Sequence, residues 1–271
     1  RGSRQVGRRN DLPTICRVTA MPGGTLAESV RRFYDAIARR SPRLAFVNYG
    51  FVDLPDQPPA NPNIFSLCRR LYETVLEPFL VTTGLVVEVG CGRGAGAELL
   101  LDDRPDLRYV GLDLSSEHLV LTRKRLAPRP FTSVIMANAG RLPLTTGVVD
   151  LLYSIEAAQH FEEPGRFYQE ASRLLCPGGW CLLAGLWHST QLPDAQLEAT
   201  GFQIRDRRDI TANVVASLAS TSDERQTLID SLDLPARFRP QLLNWAGVRG
   251  LPVYENLESG ATRYVLYRLQ R

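Results

Sequence analysis

The sequence predicts an α/β protein: a mostly parallel sheet of seven strands, helices on both faces and a helical lid. Three observations carry that prediction. From residue 84 onward, short apolar runs alternate with helical stretches, the pattern of strands joined by crossover helices. One of those runs, residues 85–89, feeds directly into a cluster of glycines that opens a helix. The chain then closes on the alternating run Tyr264, Val265, Leu266, Tyr267, Arg268 and Leu269, which reads as part of an antiparallel pair.

Residues 25–40 have the spacing of an amphipathic helix, with Leu26, Val30, Phe33, Tyr34 and Ile37 on one face. Thr25 and Glu28 form a capping-box pattern at its start. Residues 41–63 read as loop, punctuated by Pro42, Pro55, Pro58, Pro59 and Pro62. A second helix is expected over 64–80, with Leu67, Leu71, Val75, Leu76 and Phe79 to one side. Candidate strands cover 85–89, 109–112, 133–137, 149–153 and 180–185, with helices near 95–101, 116–126 and 166–175 between them. A further strand at 202–205 precedes a polar, helical stretch running to Trp245, expected to fold over the site. The division is a tail at 1–20, a helical cap at 21–80 and a core at 81–271 with 211–249 as lid insertion. Ligands of such sheets sit at the carboxyl ends of the strands, so function is sought in the loops there.

With 271 residues, 44% apolar and 23% charged, the usage is that of a globular chain, which excludes a disordered or collagen-like one. The longest apolar run, residues 180–187, falls well short of the roughly 18 residues a membrane helix needs. The first twenty residues hold Arg1, Arg4, Arg8, Arg9 and Arg17 against Asp11 alone. The net charge of +3 therefore belongs to the tail, and the near-neutral body argues against nucleic acid as a partner. Met21 is the first methionine, and residues 1–20 are read as disordered or as an upstream addition without the apolar stretch of a secretory signal. Lys124 is the only lysine, a bias that points to GC-rich, bacterial coding. The five cysteines (Cys16, Cys68, Cys91, Cys176, Cys181) are scattered without C-x-x-C spacing, and there are three histidines. No metal site and a reduced, cytoplasmic protein are expected. The expected partner is a small-molecule acceptor, with no membrane and with a homodimer left open.

The decisive segment is Leu85-Val86-Val87-Glu88-Val89-Gly90-Cys91-Gly92-Arg93-Gly94-Ala95-Gly96. Glycines admit positive φ and a close ligand, and the helix start offers N–H groups to an anion. Alone, this pattern leaves two cofactors open. Gly90, Gly92 and Ala95 satisfy the dinucleotide pattern G-x-G-x-x-G/A, and Asp113 suits ribose hydroxyls, so an NAD(P)-dependent oxidoreductase is one reading. Glu88 favours the other. Two residues before Gly90, its carboxylate opposes a pyrophosphate and complements the cationic ammonium and sulfonium of S-adenosylmethionine.

Glu88-Val89-Gly90-Cys91-Gly92-Arg93-Gly94 resembles the first motif, E-x-G-x-G-x-G, of class I S-adenosylmethionine-dependent methyltransferases. Gly111-Leu112-Asp113-Leu114-Ser115 resembles their second, whose acidic residue takes both ribose hydroxyls. Ala137-Asn138-Ala139-Gly140-Arg141-Leu142-Pro143-Leu144 resembles the G-D-A-x-x-L-P-F motif beside the adenine. Val149-Asp150-Leu151-Leu152-Tyr153-Ser154 is similar to the fourth strand, and Arg173 to Gly179 to the R-V-L-x-P-G-G turn before the fifth. Asn48-Tyr49-Gly50-Phe51 resembles an amino-terminal element that closes over the cofactor.

The resemblance implies a Rossmann-like fold, S-adenosylmethionine as donor and S-adenosylhomocysteine as product. The cofactor-binding set it implies is Tyr49, Glu88, Gly90, Cys91, Gly92, Gly94, Asp113, Leu114, His118, Asn138, Ala139 and Ser154. Asn138 stands where the family has aspartate, so its bond to the adenine amino group is expected to be weaker. His118 reads either as a ribose neighbour or as a partly buried helix histidine. Tyr49 reads either as a neighbour of the methionine part or as a loop aromatic packed on the core. The Cys91 thiol is given no chemistry.

Ser154-Ile155-Glu156-Ala157-Ala158-Gln159-His160-Phe161 resembles a stretch of small-molecule methyltransferases in which the histidine faces the acceptor. His160 is the candidate base, and Glu156, one helical turn away, is expected to orient it or contact the cofactor; packing of the loop is the competing role for His160. His188 is a second candidate. The segments 25–80 and 211–245 bring Phe51, Phe65, Tyr72, Phe238, Leu242 and Trp245, expected to form an apolar acceptor pocket or to pack the lid itself. The expected activity is O-methylation of a bacterial secondary metabolite, such as a polyketide, sugar or lipid. C- or N-methylation and a non-catalytic S-adenosylmethionine-binding protein stand as alternatives.

Overall fold

A computed structural model describes residues 25–54, 63–77, 79, 82–233 and 235–271. The expectations for the tail at 1–20, for Cys16, for Pro55, Pro58, Pro59 and Pro62 and for Leu80 lie outside the described residues.

Helix α1, Leu26–Arg40, starts on the expected capping box: Thr25 Oγ1 accepts from the Glu28 amide and Glu28 Oε2 from the Thr25 amide, each at 3.2 Å. Helix α2, Ile64–Leu76, is capped by Asn63, whose side-chain oxygen accepts from the Ser66 amide at 2.8 Å. It ends earlier than its apolar spacing suggested: Glu77 is still helical and donates its amide to the Glu73 carbonyl, but Pro78 after it has no N–H to carry the ladder on.

The core then alternates: β1 Gly84–Val89, α3 Ala95–Asp103, β2 Leu107–Asp113, α4 Ser116–Leu126, β3 Thr132–Met136, β4 Val149–Ile155, α5 Pro164–Leu174 and β5 Leu175–His188. After it come α6 Asp194–Ala199, β6 Gln203–Asp209, α7 Thr211–Ser220, α8 Ser222–Asp230, α9 Arg239–Trp245, α10 Pro252–Glu258 and β7 Thr262–Gln270. The seven strands form one sheet in the order β3-β2-β1-β4-β5-β7-β6. All neighbours pair in parallel except β7, which runs antiparallel to both β5 and β6.

Alternation along the central strands sends side chains to opposite faces. Val86, Leu151, Leu182 and Leu266 join the cluster under α2, α3, α7 and α10, while Val87, Leu152, Leu183 and Val265 join the one under α5 and Leu197 of α6. A third, smaller cluster places Ile37 of α1 against Ile229 of α8 and Leu242, Leu243 and Ala246 around α9. The cap helix and the 211–249 segment therefore pack on each other above the carboxyl ends of the strands. The fifth strand is much longer than its apolar run, because Pro177, Gly178 and Gly179 are taken up as an irregular, extended entry opposite Val149 rather than as a free turn. Helices α6 and α10 are too short to leave a periodic signature in the sequence.

Candidate functional site

Two adjoining cavities lie at the carboxyl ends of β1, β2 and β4. The outer one, about 420 Å³, is walled by the glycine loop after β1 (Gly90, Cys91, Gly92, Arg93), by Asp113, Leu114 and His118 after β2, and by Asn138 and Ala139 after β3. Glu156, Ala157 and His160 close it after β4, and Ala27, Val30 and Tyr34 of α1 also line it. The inner one is lined by Ile37, Leu44, Ile64, Leu228, Ile229 and Leu232, with Tyr49, Glu156, Gln159, Arg225 and Trp245 among its other residues. Tyr34, Phe46, Val47, Glu156 and His160 line both and form the junction.

The glycine loop is held by the next strand. The amides of Gly90 and Cys91 both donate to the Leu112 carbonyl, at 2.7 and 3.1 Å, and the Gly92 amide donates to Asp113 Oδ2 at 2.8 Å. Gly90 has φ +83°, and a Cβ there would stand 2.3 Å from Ala157 Cβ. The loop thus touches the turn that carries His160 only because Gly90 lacks a side chain. Asp113 is fixed by two backbone donors, Gly92 on Oδ2 and Ser115 on Oδ1 at 2.8 Å, and each carboxylate oxygen keeps a lone pair for a further donor. His118 is buried with Nδ1 3.7 Å from Asp113 Oδ2, and its Nε2 has no partner among the described residues. Asn138 is exposed, and its Oδ1 already accepts from the Gly140 amide at 2.8 Å, a local turn that fixes the side chain expected beside an adenine.

Four of the sequence-derived residues stand away from the outer cavity's wall. Glu88 is 1% exposed beneath the loop, its carboxylate surrounded by the hydroxyls of Tyr72, Tyr109 and Tyr153. Burial pushes its carboxyl up to about 7, against the lowering effect of those hydrogen bonds. A surface carboxylate meeting the ligand directly is therefore not what the structure shows. Ser154 is fully buried and spends its hydroxyl on the Val89 carbonyl at 2.8 Å, tying β4 to β1. Gly94 is the left-handed N-cap of α3, a structural hinge into the helix. Tyr49 lines the inner cavity instead, with its amide on Glu156 Oε1 (2.9 Å) and its hydroxyl on the Trp245 carbonyl (3.0 Å).

Glu156 follows β4 with φ +52°, and its carboxylate accepts from the Tyr49 amide and the Tyr264 hydroxyl (3.0 Å). Burial pushes this carboxyl, too, up to about 7. Among its hydrogen bonds there is none to the imidazole it was expected to orient, because the residues after it form a tight turn, Ala158–His160, rather than an α-helix. Tyr34 of α1 meets that imidazole instead: its hydroxyl lies 3.0 Å from His160 Nε2, and Trp245 Nε1 donates to the same hydroxyl at 3.4 Å. His188 sits at the end of β5 bonded to Thr190 and lines neither cavity.

Of the aromatic residues expected around the acceptor, Tyr72 reaches the outer cavity and Trp245 the inner one, while Phe65 and Phe238 are largely exposed and Phe51 and Leu242 pack in clusters. The reasoning from sequence missed Tyr34 as a site residue. Its only signal is a hydroxyl on the apolar face of the first helix.

Residues 87–183 match the family described as a methyltransferase domain. Over 231 residues the chain is 29% identical to the phthiotriol/phenolphthiotriol dimycocerosates methyltransferase of Mycobacterium tuberculosis, covering 83% of this chain and 84% of that one. It is 27% identical to a fatty-acid O-methyltransferase of Mycolicibacterium smegmatis over 83% and 82% of the two chains. The crystal structure of the cyclase SpnF superimposes with a TM-score of 0.75 at 18% identity, over 93% of this chain and 99% of that one, a likeness of fold.

The strand order with β7 inserted antiparallel, the glycine loop and the sequence match together define a methyltransferase. Residues 87–183 carry the methyltransferase domain, and the chain resembles the class I S-adenosylmethionine-dependent methyltransferases in motifs and in fold. The nicotinamide reading falls with that assignment, since an open dinucleotide-binding sheet has the order 3-2-1-4-5-6 with no such insertion. The residues present fit the methyl donor: a fixed carboxylate for hydroxyl groups, the opening amides of α3 for an anion, and an unpartnered buried imidazole nitrogen at the wall.

Proposed function

We propose that this protein methylates a hydroxyl group on an apolar small molecule, with His160 as the base. The observation that carries the proposal is the junction: His160 and Tyr34 face both cavities at once, a donor-sized outer one and an inner one with an aliphatic wall. The methyl donor supplies an electrophilic methyl group on a sulfonium. Asp113 accepts from its ribose hydroxyls with His118 alongside. Leu114, Asn138 and Ala139 wall the adenine, and Gly90, Cys91 and Gly92 let the backbone approach. The Tyr34 hydroxyl, fixed by the Trp245 indole, orients the His160 ring so that the imidazole takes the acceptor's proton as the methyl leaves. Holding two reactants in line supplies most of such a rate enhancement, and a base adds roughly 10²–10⁴-fold.

Ile37, Leu44, Ile64, Leu228, Ile229 and Leu232 give the inner cavity an apolar wall suited to an alkyl chain or apolar ring, beside the polar groups of Glu156, Gln159 and Arg225. Two mycobacterial relatives carry names that refer to lipid substrates, which supports the same acceptor class. Cytoplasmic action is part of the proposal, supported by Cys68, Cys91, Cys176 and Cys181 as free thiols. No described helix is long and apolar enough to cross a membrane.

The test supplies S-adenosylmethionine carrying a carbon-13 methyl group together with fatty acids, long-chain alcohols and alkylphenols. Methyl resonances on oxygen, with KM falling as the chain lengthens, are expected. A methyl group on carbon or nitrogen, or a preference for polar sugars, would refute the assignment.

A further inference from the structure

Glu88 is sealed from the outer cavity, yet it sits at the end of the strand that leads into the glycine loop. Three tyrosine hydroxyls donate to it: Tyr109 at 2.5 Å and Tyr153 at 3.0 Å on Oε2, and Tyr72 at 3.2 Å on Oε1. Tyr109 and Tyr153 are fully buried inside the sheet, whereas Tyr72 comes from α2 and lines the outer cavity. Its ring is fixed against the first turn of α3, where a Cβ on Gly96 would stand 1.9 Å from Tyr72 Cε1. The Phe46 ring, 5.6 Å away between centroids, holds it from the other side. A phenol has one proton and two acceptor lone pairs. With the proton spent on Glu88, the Tyr72 oxygen is left as an acceptor, strengthened by the carboxylate behind it.

We infer that Tyr72 is the residue through which Glu88 holds a cation in the outer cavity: the ammonium group of the methyl donor donates to Tyr72 Oη, and Tyr72 donates to Glu88 Oε1. The inference rests on the reading of the outer cavity as the donor site. It gives the buried carboxylate a function that direct contact does not. A cation on Tyr72 favours the ionised form of Glu88, which burial alone disfavours. The same pair repels a pyrophosphate and so selects between two cofactors that share a glycine loop.

The experiment is calorimetric titration of the wild type and Tyr72→Phe with S-adenosylhomocysteine, which has the ammonium group, and with 5′-methylthioadenosine, which lacks the amino-acid end. Phenylalanine keeps the ring on Gly96. The expected result is a loss of about tenfold or more in affinity for S-adenosylhomocysteine, the size of a hydrogen bond to a charged group, with 5′-methylthioadenosine unaffected. Equal losses for both ligands, or none for either, overturn the inference. If Tyr72→Phe does not fold, Glu88→Gln, which keeps an acceptor for the tyrosines, is titrated in the same way. The same ligand-selective loss is then required, and its absence is equally decisive. A wild type that binds neither compound would instead overturn the donor-site reading itself.

Discussion

Gly90→Ala is expected to destabilise the protein by about 2–5 kcal/mol and to abolish methyl transfer even where the chain still folds. Two costs add. A residue with a side chain at φ +83° carries left-handed strain of roughly 1–2 kcal/mol. A Cβ placed 2.3 Å from Ala157 Cβ then forces either the glycine loop or the Ala158–His160 turn to move, an overpacking cost of about 1–3 kcal/mol. Both segments wall the outer cavity, so relief of the clash in either direction disturbs the site. Thermal unfolding together with turnover checks this. Gly165→Ala is a suitable control, because a Cβ there meets nothing within 4 Å. A Gly90→Ala protein of wild-type stability and activity would show that the loop and the turn are not in contact.

His160→Gln is expected to lower kcat by about 10²–10³-fold while leaving affinity for S-adenosylhomocysteine unchanged. Glutamine can still bond to the Tyr34 hydroxyl, so the junction keeps its shape and only the proton acceptor is lost. Single-turnover methyl transfer, measured beside ligand binding, separates the two effects. Undiminished turnover would remove His160 from the chemistry and leave it as a packing residue of the 158–160 turn.

The sequence carries the sheet well because its information is local. The central parallel strands β1 and β4 are apolar runs buried on both faces, and the glycine loop, Asp113 and the closing alternation of β7 can all be read over a few residues. Where the reading went astray, the deciding contacts are distant in the chain. Glu88 looks like a ligand carboxylate until Tyr72, Tyr109 and Tyr153 arrive from three other elements to cover it. Glu156 looks like a partner for His160 until its positive φ turns the carboxylate toward Tyr49 and Tyr264. Tyr34 lies 126 positions from His160 along the chain, so helical periodicity shows only its apolar face and never its hydroxyl's destination. Nothing in the short apolar stretches of 211–245 distinguishes the residues that line the inner cavity from those that pack the third cluster.

The most direct test of the account is whether the outer cavity holds the methyl donor on Asp113. Calorimetric titration with S-adenosylhomocysteine is predicted to show one site per chain in the wild type and at least tenfold weaker binding in Asp113→Asn, the cost of trading a charged hydrogen-bond acceptor for a neutral one. Binding that Asp113→Asn leaves unchanged, or no binding by the wild type, would contradict it.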